Sequence, residues 1–264
     1  MAPDFPEAGI DFEKANAARM YDYWLGGGHN FAVDREQAAR VEAGNPAMVH
    51  AARSNRAFLG RVVRWAVAQG IDQFLDLGSG VPTVGNVHEI AHRLDPDARV
   101  AYVDFEPVAV THARSILATI DHVTITAADL REPDTVLGAP GVAGLLDFDR
   151  PVAVLAVAVL HFVEGDLGDV LARYRERLVP GSVLAVNHVS DDQDDPGLAA
   201  RVRAGADAYR GSATPLTTRS RAELAAVLTG LEIVPPGMVD VTDWPESQPG
   251  VAPIGVHAAV ARVP

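Results

Sequence analysis

The chain has 264 residues, 48% hydrophobic and 22% charged, which is ample apolar material for one sizeable core. Its net charge of -13 argues against nucleic acid as a partner, because a phosphate-binding face must be basic to displace counterions. It contains no cysteine, which excludes disulfides, a thiolate nucleophile and cysteine-ligated zinc, and suits a cytoplasmic location.

The opening "MAPDFPEAGIDFEK" is acidic and lacks the basic end and apolar middle of a secretory signal. Residues 1–54 carry no strand pattern and are expected to form a helical, lid-like extension to a main domain over 55–264. Within them, "ARMYDYWLGGGHNF" (18–31) reads either as a helix ending at the glycines or as a lid. In the second reading Gly26, Gly27 and Gly28 allow close backbone approach while Tyr21, Tyr23, Trp24 and Phe31 wall a pocket.

From residue 55 onward, helical patterns alternate with short β-rich runs, the signature of crossover units in a mostly parallel sheet. The expected helices cover 55–70, 83–94, 107–120, 166–178 and 220–230. The expected strands cover 73–78, 99–105, 122–130, 151–162, 182–190, 232–239 and 257–263, seven in all, with a long loop at 240–255. The fold class is therefore α/β, with helices on both faces of a seven-stranded sheet. The longest apolar run, "PVAVLAVAVLHFV" (151–163), is shorter than the roughly 20 residues that cross a bilayer, so no membrane partner is expected.

Ligands of open parallel sheets bind beyond the carboxyl ends of the strands. The first strand ends in "DLGSG", where Asp76 accepts hydrogen bonds and Gly78, Ser79 and Gly80 form either a nucleotide turn or a plain tight turn. In "GSGVPT" Thr83 stands where a dinucleotide fingerprint has its third glycine, and Pro82 lacks an N–H for a pyrophosphate. The second strand places Asp104 at its tip, suited to two ribose hydroxyls or to capping the next helix. The third ends in "AADL", where Asp129 suits an adenine amine or a local cap.

The succession "FLDLGSG", "YVDFEP", "AADL", "VAVLHF" and "LVPGSVLAVNH" resembles the S-adenosylmethionine-dependent methyltransferases of the seven-strand Rossmann-like type. More narrowly, "ARMYDYWLGGGHNFAVDR", "ARSNRAFLGRVVRW", "NVHEIAH" and "DFDRPVAVLAVAVLHFV" resemble an actinobacterial S-adenosyl methyltransferase family once catalogued as a domain of unknown function. The resemblance covers nearly the whole chain; it departs at His29, where that family often has an acid. It implies S-adenosyl-L-methionine as cofactor, with S-adenosyl-L-homocysteine as product. Gly78, Ser79 and Gly80 would pass beside its methionine part, Asp104 would hold the ribose, Phe105 would lie against the adenine, and Asp129 with Leu130 would bind the adenine edge. Ala158, Val159 and His161 would border the methyl donor. Tyr21, Gly26, Gly27, Gly28, Asn30 and Phe31 would close over the cofactor, and Arg53, Asn55 and Arg56 would anchor its carboxylate or the lid.

Methyl transfer asks the protein mainly to align the nucleophile and exclude water, with a base only where the attacking atom must lose a proton. The candidates for that base are His161, His29, His188, Tyr23 and Asp22. His88 and His92 sit at i, i+4 spacing but lack the order of a metalloprotease motif, so they read as helix packing and no metal is assigned. The acidic "SDDQDDPG" (190–197) reads as a solvated loop or the border of a substrate mouth, and Trp244 as a pocket wall or a loop anchor. The leading expectation is a cytoplasmic methyltransferase acting on a small-molecule oxygen, nitrogen or aromatic carbon nucleophile. A homodimer is compatible with it. A cofactor-binding sensor without turnover and an NAD-dependent dehydrogenase are the alternatives.

Overall fold

The computed structural model describes residues 10–82, 85–247 and 250–264. Three helices lead: α1 (Ala17–Trp24), α2 (Ala32–Gly44) and α3 (Met48–Ala68). Then follow β1 (Gln73–Leu77), α4 (Val87–His92), β2 (Arg99–Asp104), α5 (Pro107–Leu117), β3 (Val123–Ala127), α6 (Pro133–Gly138), α7 (Pro140–Ala143) and β4 (Ala153–Ala156). The chain closes with α8 (Leu167–Arg175), β5 (Val183–Val189), α9 (Pro196–Ala208), α10 (Arg221–Val227), β6 (Glu232–Ile233), β7 (Val239–Asp240) and β8 (Val256–Arg262).

The described strands form one eight-stranded sheet in the order β3-β2-β1-β4-β5-β8-β6, with β7 also paired to β8. Strands β1 to β5 are parallel, and β8 runs antiparallel to β5, β6 and β7. The seven expected strands become eight because the run 232–239 divides in two. Pro235 and Pro236 cannot donate to a ladder, and Gly237, at φ +100°, turns the chain between the two short pieces.

Alternate residues of the strands point to opposite faces. Phe74, Tyr102, Leu155 and Val260 pack with Phe58, Val62 and Ala66 of α3. Leu75, Val103, Val154 and Val186 pack with Leu171 and Tyr174 of α8. Covering on both faces explains why the strands read as near-continuous apolar runs. Met20 and Trp24 of α1 form a smaller cluster with Ala38, Val41 and Tyr209. Helix α3 starts seven residues earlier than expected and runs unbroken across residues 54 and 55.

The fourth expected strand, 151–162, ends at Ala156. Its last pairing is Ala156 with Val186 of β5; next along β5, the Asn187 side chain takes the Ala158 N–H at 2.6 Å in place of a backbone carbonyl. Ala158 adopts φ +59° there, and the chain enters a single 3-10 turn over Leu160–Phe162. Of the helix expected over 83–94, α4 covers Val87–His92, and Thr83 lies outside the described residues.

Candidate functional site

Strand order reverses between β1 and β4, which opens a crevice at their carboxyl ends. There the chain leaves β1 through Gly78 at φ +69°, and the Gly78 and Ser79 amides both donate to the Val103 carbonyl, at 2.8 and 3.1 Å. A Cβ on Gly78 would lie 2.2 Å from Val159 Cγ2, so this glycine is required by the approach of the β4 end. Gly80, at φ +67°, has nothing within 4 Å of a built Cβ. Its amide donates to Asp104 Oδ2 at 2.7 Å, and the Glu106 amide donates to Asp104 Oδ1 at 2.8 Å. Asp104 thus ties the β1 turn to the start of α5. Burial raises its pKa, partly offset by these amides. Burial also pushes the Asp76 carboxyl up to about 7, lowered by Arg56 and raised by Asp104.

A cavity of about 150 Å³ occupies the crevice. Its walls include Tyr21, Asn55, Arg56, Asp76, Gly78, Ser79, Gly80, Asp104, Phe105, Leu130, Ala158, Val159 and His161, which brings together residues from six parts of the sequence. Phe105 lines the cavity and is 54% exposed, which leaves its ring available for stacking on a flat ligand. Three buried polar atoms in these walls, Arg56 Nε, Ser79 Oγ and His161 Nδ1, have no hydrogen-bond partner among the described residues. Such atoms are expected where a polar ligand completes the site.

The remaining sequence candidates lie elsewhere. Gly26, Gly27, Gly28, Asn30 and Phe31 are not among the wall residues, and neither are Tyr23 or His29. The glycine segment is organised by Asp22 instead: its Oδ2 accepts the His29 amide at 2.8 Å and Asn30 Nδ2 at 2.9 Å, and a Cβ on Gly27 would fall 1.9 Å from its Oδ1. Phe31 packs against Phe12 and beneath the Arg19 guanidinium. Tyr23 is 37% exposed, and the His29 ring lies 3.7 Å from that of His112. Arg53 is exposed on α3, one turn from the cavity residue Arg56. The Asp129 carboxylate is engaged by Arg131 Nε at 2.9 and 3.0 Å, which lowers its pKa, while its neighbours Ala128 and Leu130 line the cavity.

His188 is fully buried behind the site, its Nδ1 donating to the Val189 carbonyl at 2.7 Å and its Nε2 accepting from Arg219 at 2.8 Å. That bonding leaves no free ring nitrogen for a base, and burial pushes its pKa down to about 4. His161 is pushed well below the usual imidazole range by burial, with His188 and Arg219 adding to the effect, so it is neutral. His88 Nδ1 pairs with the Tyr102 hydroxyl at 2.8 Å and His92 Nε2 with the Ala98 carbonyl at 2.8 Å. Trp244 is wholly buried against Phe58 and Trp65, an anchor for its loop.

Two constructions escaped the sequence reading. Arg19, 1% exposed, donates from Nε to Asp34 at 2.9 Å and from Nη1 to Glu106 at 3.1 Å, and Asn16 Nδ2 donates to the same Glu106 at 2.8 Å. This clamp bolts α1 over the cavity beside Asp104. Asn187, besides holding Ala158, donates to Asn55 Oδ1 at 2.8 Å across the sheet end. Its signal was a polar residue inside the apolar run "VLAVNHV". Helix α9, absent from the expected helices, adds Val202, Gly205 and Ala206 to the cavity wall.

A family model described as S-adenosyl methyltransferase matches residues 4–264. The chain belongs to that family. The crystal structure of a DUF574 family protein from Streptomyces avermitilis is 35% identical, with a TM-score of 0.89, covering 96% of this chain and 99% of that one. That of a proposed methyltransferase from Thermobifida fusca is 36% identical, with a TM-score of 0.90, covering 98% and 99%. No curated protein matches. The methyltransferase uses S-adenosylmethionine, and the walls fit it. At the β2 tip Asp104 would hold the ribose and Phe105 would lie against the adenine, while Arg56 Nε and Ser79 Oγ, which have no hydrogen-bond partner among the described residues, would meet the charged amino-acid end. Bound there, the cofactor supplies an activated methyl group on a sulfonium.

Proposed function

We propose that this methyltransferase acts on a small molecule held in the same cavity. The observation that carries the reading is the division of the cavity wall. Its charged side chains, Arg56, Asp76, Asp104 and Glu106, come from α3 and the β1 and β2 ends, whereas another side groups Trp24, Met48, Phe162, Tyr209 and Leu216, which pack in one apolar cluster. The first side matches a polar, charged cofactor, and the second offers a separate apolar seat. With α1 clamped over the crevice by Arg19, the protein's contribution is alignment and exclusion of water rather than covalent chemistry.

The net charge of -13 supports a small molecule over a nucleic acid as acceptor. Among the described residues no helix is long and apolar enough to cross a membrane. The test is incubation with methyl-labelled S-adenosylmethionine and, in parallel, an actinobacterial metabolite extract or total RNA and DNA. Label is expected in a low-mass product detected by mass spectrometry. Label in the nucleic acid alone would overturn the reading.

A further inference from the structure

The apolar side of the cavity has three features that together select its occupant. The first is charge. Beyond the four charged side chains at the cofactor side, the wall residues among the described part of the chain carry none, and an ion placed there would lose its hydration without gaining a partner. The second is shape. Phe162 and Trp24 both flank Tyr209, with ring centroids at 5.6 and 6.5 Å, so three aromatic side chains meet along one wall. Ring edges and faces at such distances favour another ring over a flexible chain.

The third feature is His161. Its ring is 5% exposed, lies edge-on to Phe162 at 4.3 Å, and lines the cavity. Its Nδ1 is buried without a partner among the described residues. Burial, with His188 and Arg219 adding to it, keeps the imidazole neutral. A neutral imidazole nitrogen is either a donor or an acceptor according to tautomer, and a hydroxyl satisfies both. A carboxylate only accepts, and an ammonium only donates while bringing a charge next to Arg219.

We propose, building on the small-molecule reading above, that the apolar side of the cavity binds an uncharged, planar aromatic molecule through a hydroxyl group hydrogen-bonded to His161 Nδ1. The hydroxyl places its oxygen at the β4 end, beside Ala158 and Val159. The low proton affinity of His161 suits it to orienting that oxygen more than to storing its proton.

The test is calorimetric titration of the full chain, saturated with S-adenosylhomocysteine, with four matched probes: 2-naphthol, naphthalene, 2-naphthoate and 2-naphthylmethylammonium. The neutral naphthol should bind about tenfold or more tightly than either ion, as expected when a charge is buried unpaired. His161→Phe should remove the preference for naphthol over naphthalene while leaving naphthalene binding in place, which also shows that the variant is folded. Leu216→Glu, in the apolar cluster with Trp24 and Tyr209, should reverse the order and favour the ammonium. Equal or tighter binding of the ions by the wild type, or an unchanged naphthol preference in His161→Phe, overturns the proposal. Failure of S-adenosylhomocysteine itself to bind is a separate result, which removes the cofactor assignment beneath it.

Discussion

The Asp104 carboxylate accepts the Gly80 amide on one oxygen, at 2.7 Å, and the Glu106 amide on the other, at 2.8 Å. One buried side chain therefore sets the shape of the β1 turn and the start of α5 before any ligand arrives. Asp104→Ala orphans both amides, which costs about 1–3 kcal/mol for a buried unsatisfied donor. The variant should unfold at lower denaturant and also lose S-adenosylhomocysteine affinity by about tenfold or more, one charge-assisted hydrogen bond's worth. Calorimetry and urea unfolding on the same preparation read both; unchanged affinity would remove Asp104 from the cofactor site.

Gly78 and Gly80 look alike in sequence and differ in space. Both have positive φ, so alanine at either costs about 1–2 kcal/mol in backbone strain. At Gly78 the new Cβ also meets Val159 at 2.2 Å, adding about 1–3 kcal/mol of overpacking. Urea unfolding should rank Gly78→Ala below Gly80→Ala. Adding Val159→Ala should restore part of the loss in the first and none in the second.

The Asp76 carboxyl has a folded-state pKa of about 7, above its ordinary value of 3.8 because it is buried. The folded protein therefore binds more protons than the unfolded chain between those values, and stability from this group falls as pH rises from about 4 to about 7. Asp76→Asn removes the titration. The stability of the variant relative to wild type, measured by denaturant unfolding, should climb across that window and level off above it. A difference that does not vary with pH would assign Asp76 an ordinary environment.

Arg19 holds Asp34 and Glu106 while being nearly inaccessible to water. Arg19→Ala leaves two carboxylates buried without their cation, which costs about 3–5 kcal/mol. Hydrogen exchange should quicken first at α1, which the clamp attaches, and only later in β1 and β4. Equal quickening throughout would mean that α1 unfolds only with the sheet.

Ala158 sits at φ +59° with its N–H held by Asn187. Ala158→Gly relieves left-handed strain and should leave stability within about 1 kcal/mol of wild type or above it. The same change at Ala156, in the extended β4, should cost about 0.5–1 kcal/mol from backbone freedom and more from the lost buried methyl.

Much of this architecture was legible beforehand because local signals suffice for it. Near-continuous apolar runs mark β1 and β4, and Pro107 suits the first turn of α5. Helix α9 escapes the sequence pattern because "PGLAARVRAGADA" has only Leu198 and Val202 as large apolar residues to reveal a period; it is held by packing against α2 and borders the cavity. The 232–239 run reads as one strand because period-2 alternation does not show which N–H groups the partner strand needs.

By itself the sequence determined the sheet, its helical cover and the strand ends where Asp76, Asp104 and the Gly-Ser-Gly turn meet, since each depends on residues adjacent in the chain. Only the tertiary structure decided what those residues face. It turned Gly78 toward Val159 and left the turn after Gly80 open. It gave Gly27 to Asp22, withdrew His188 into a bond with Arg219 and left His161 Nδ1 without a partner. Contacts such as Gly78 with Val159 and His188 with Arg219 have no local trace, because side-chain partnership is fixed by packing and not by spacing along the chain.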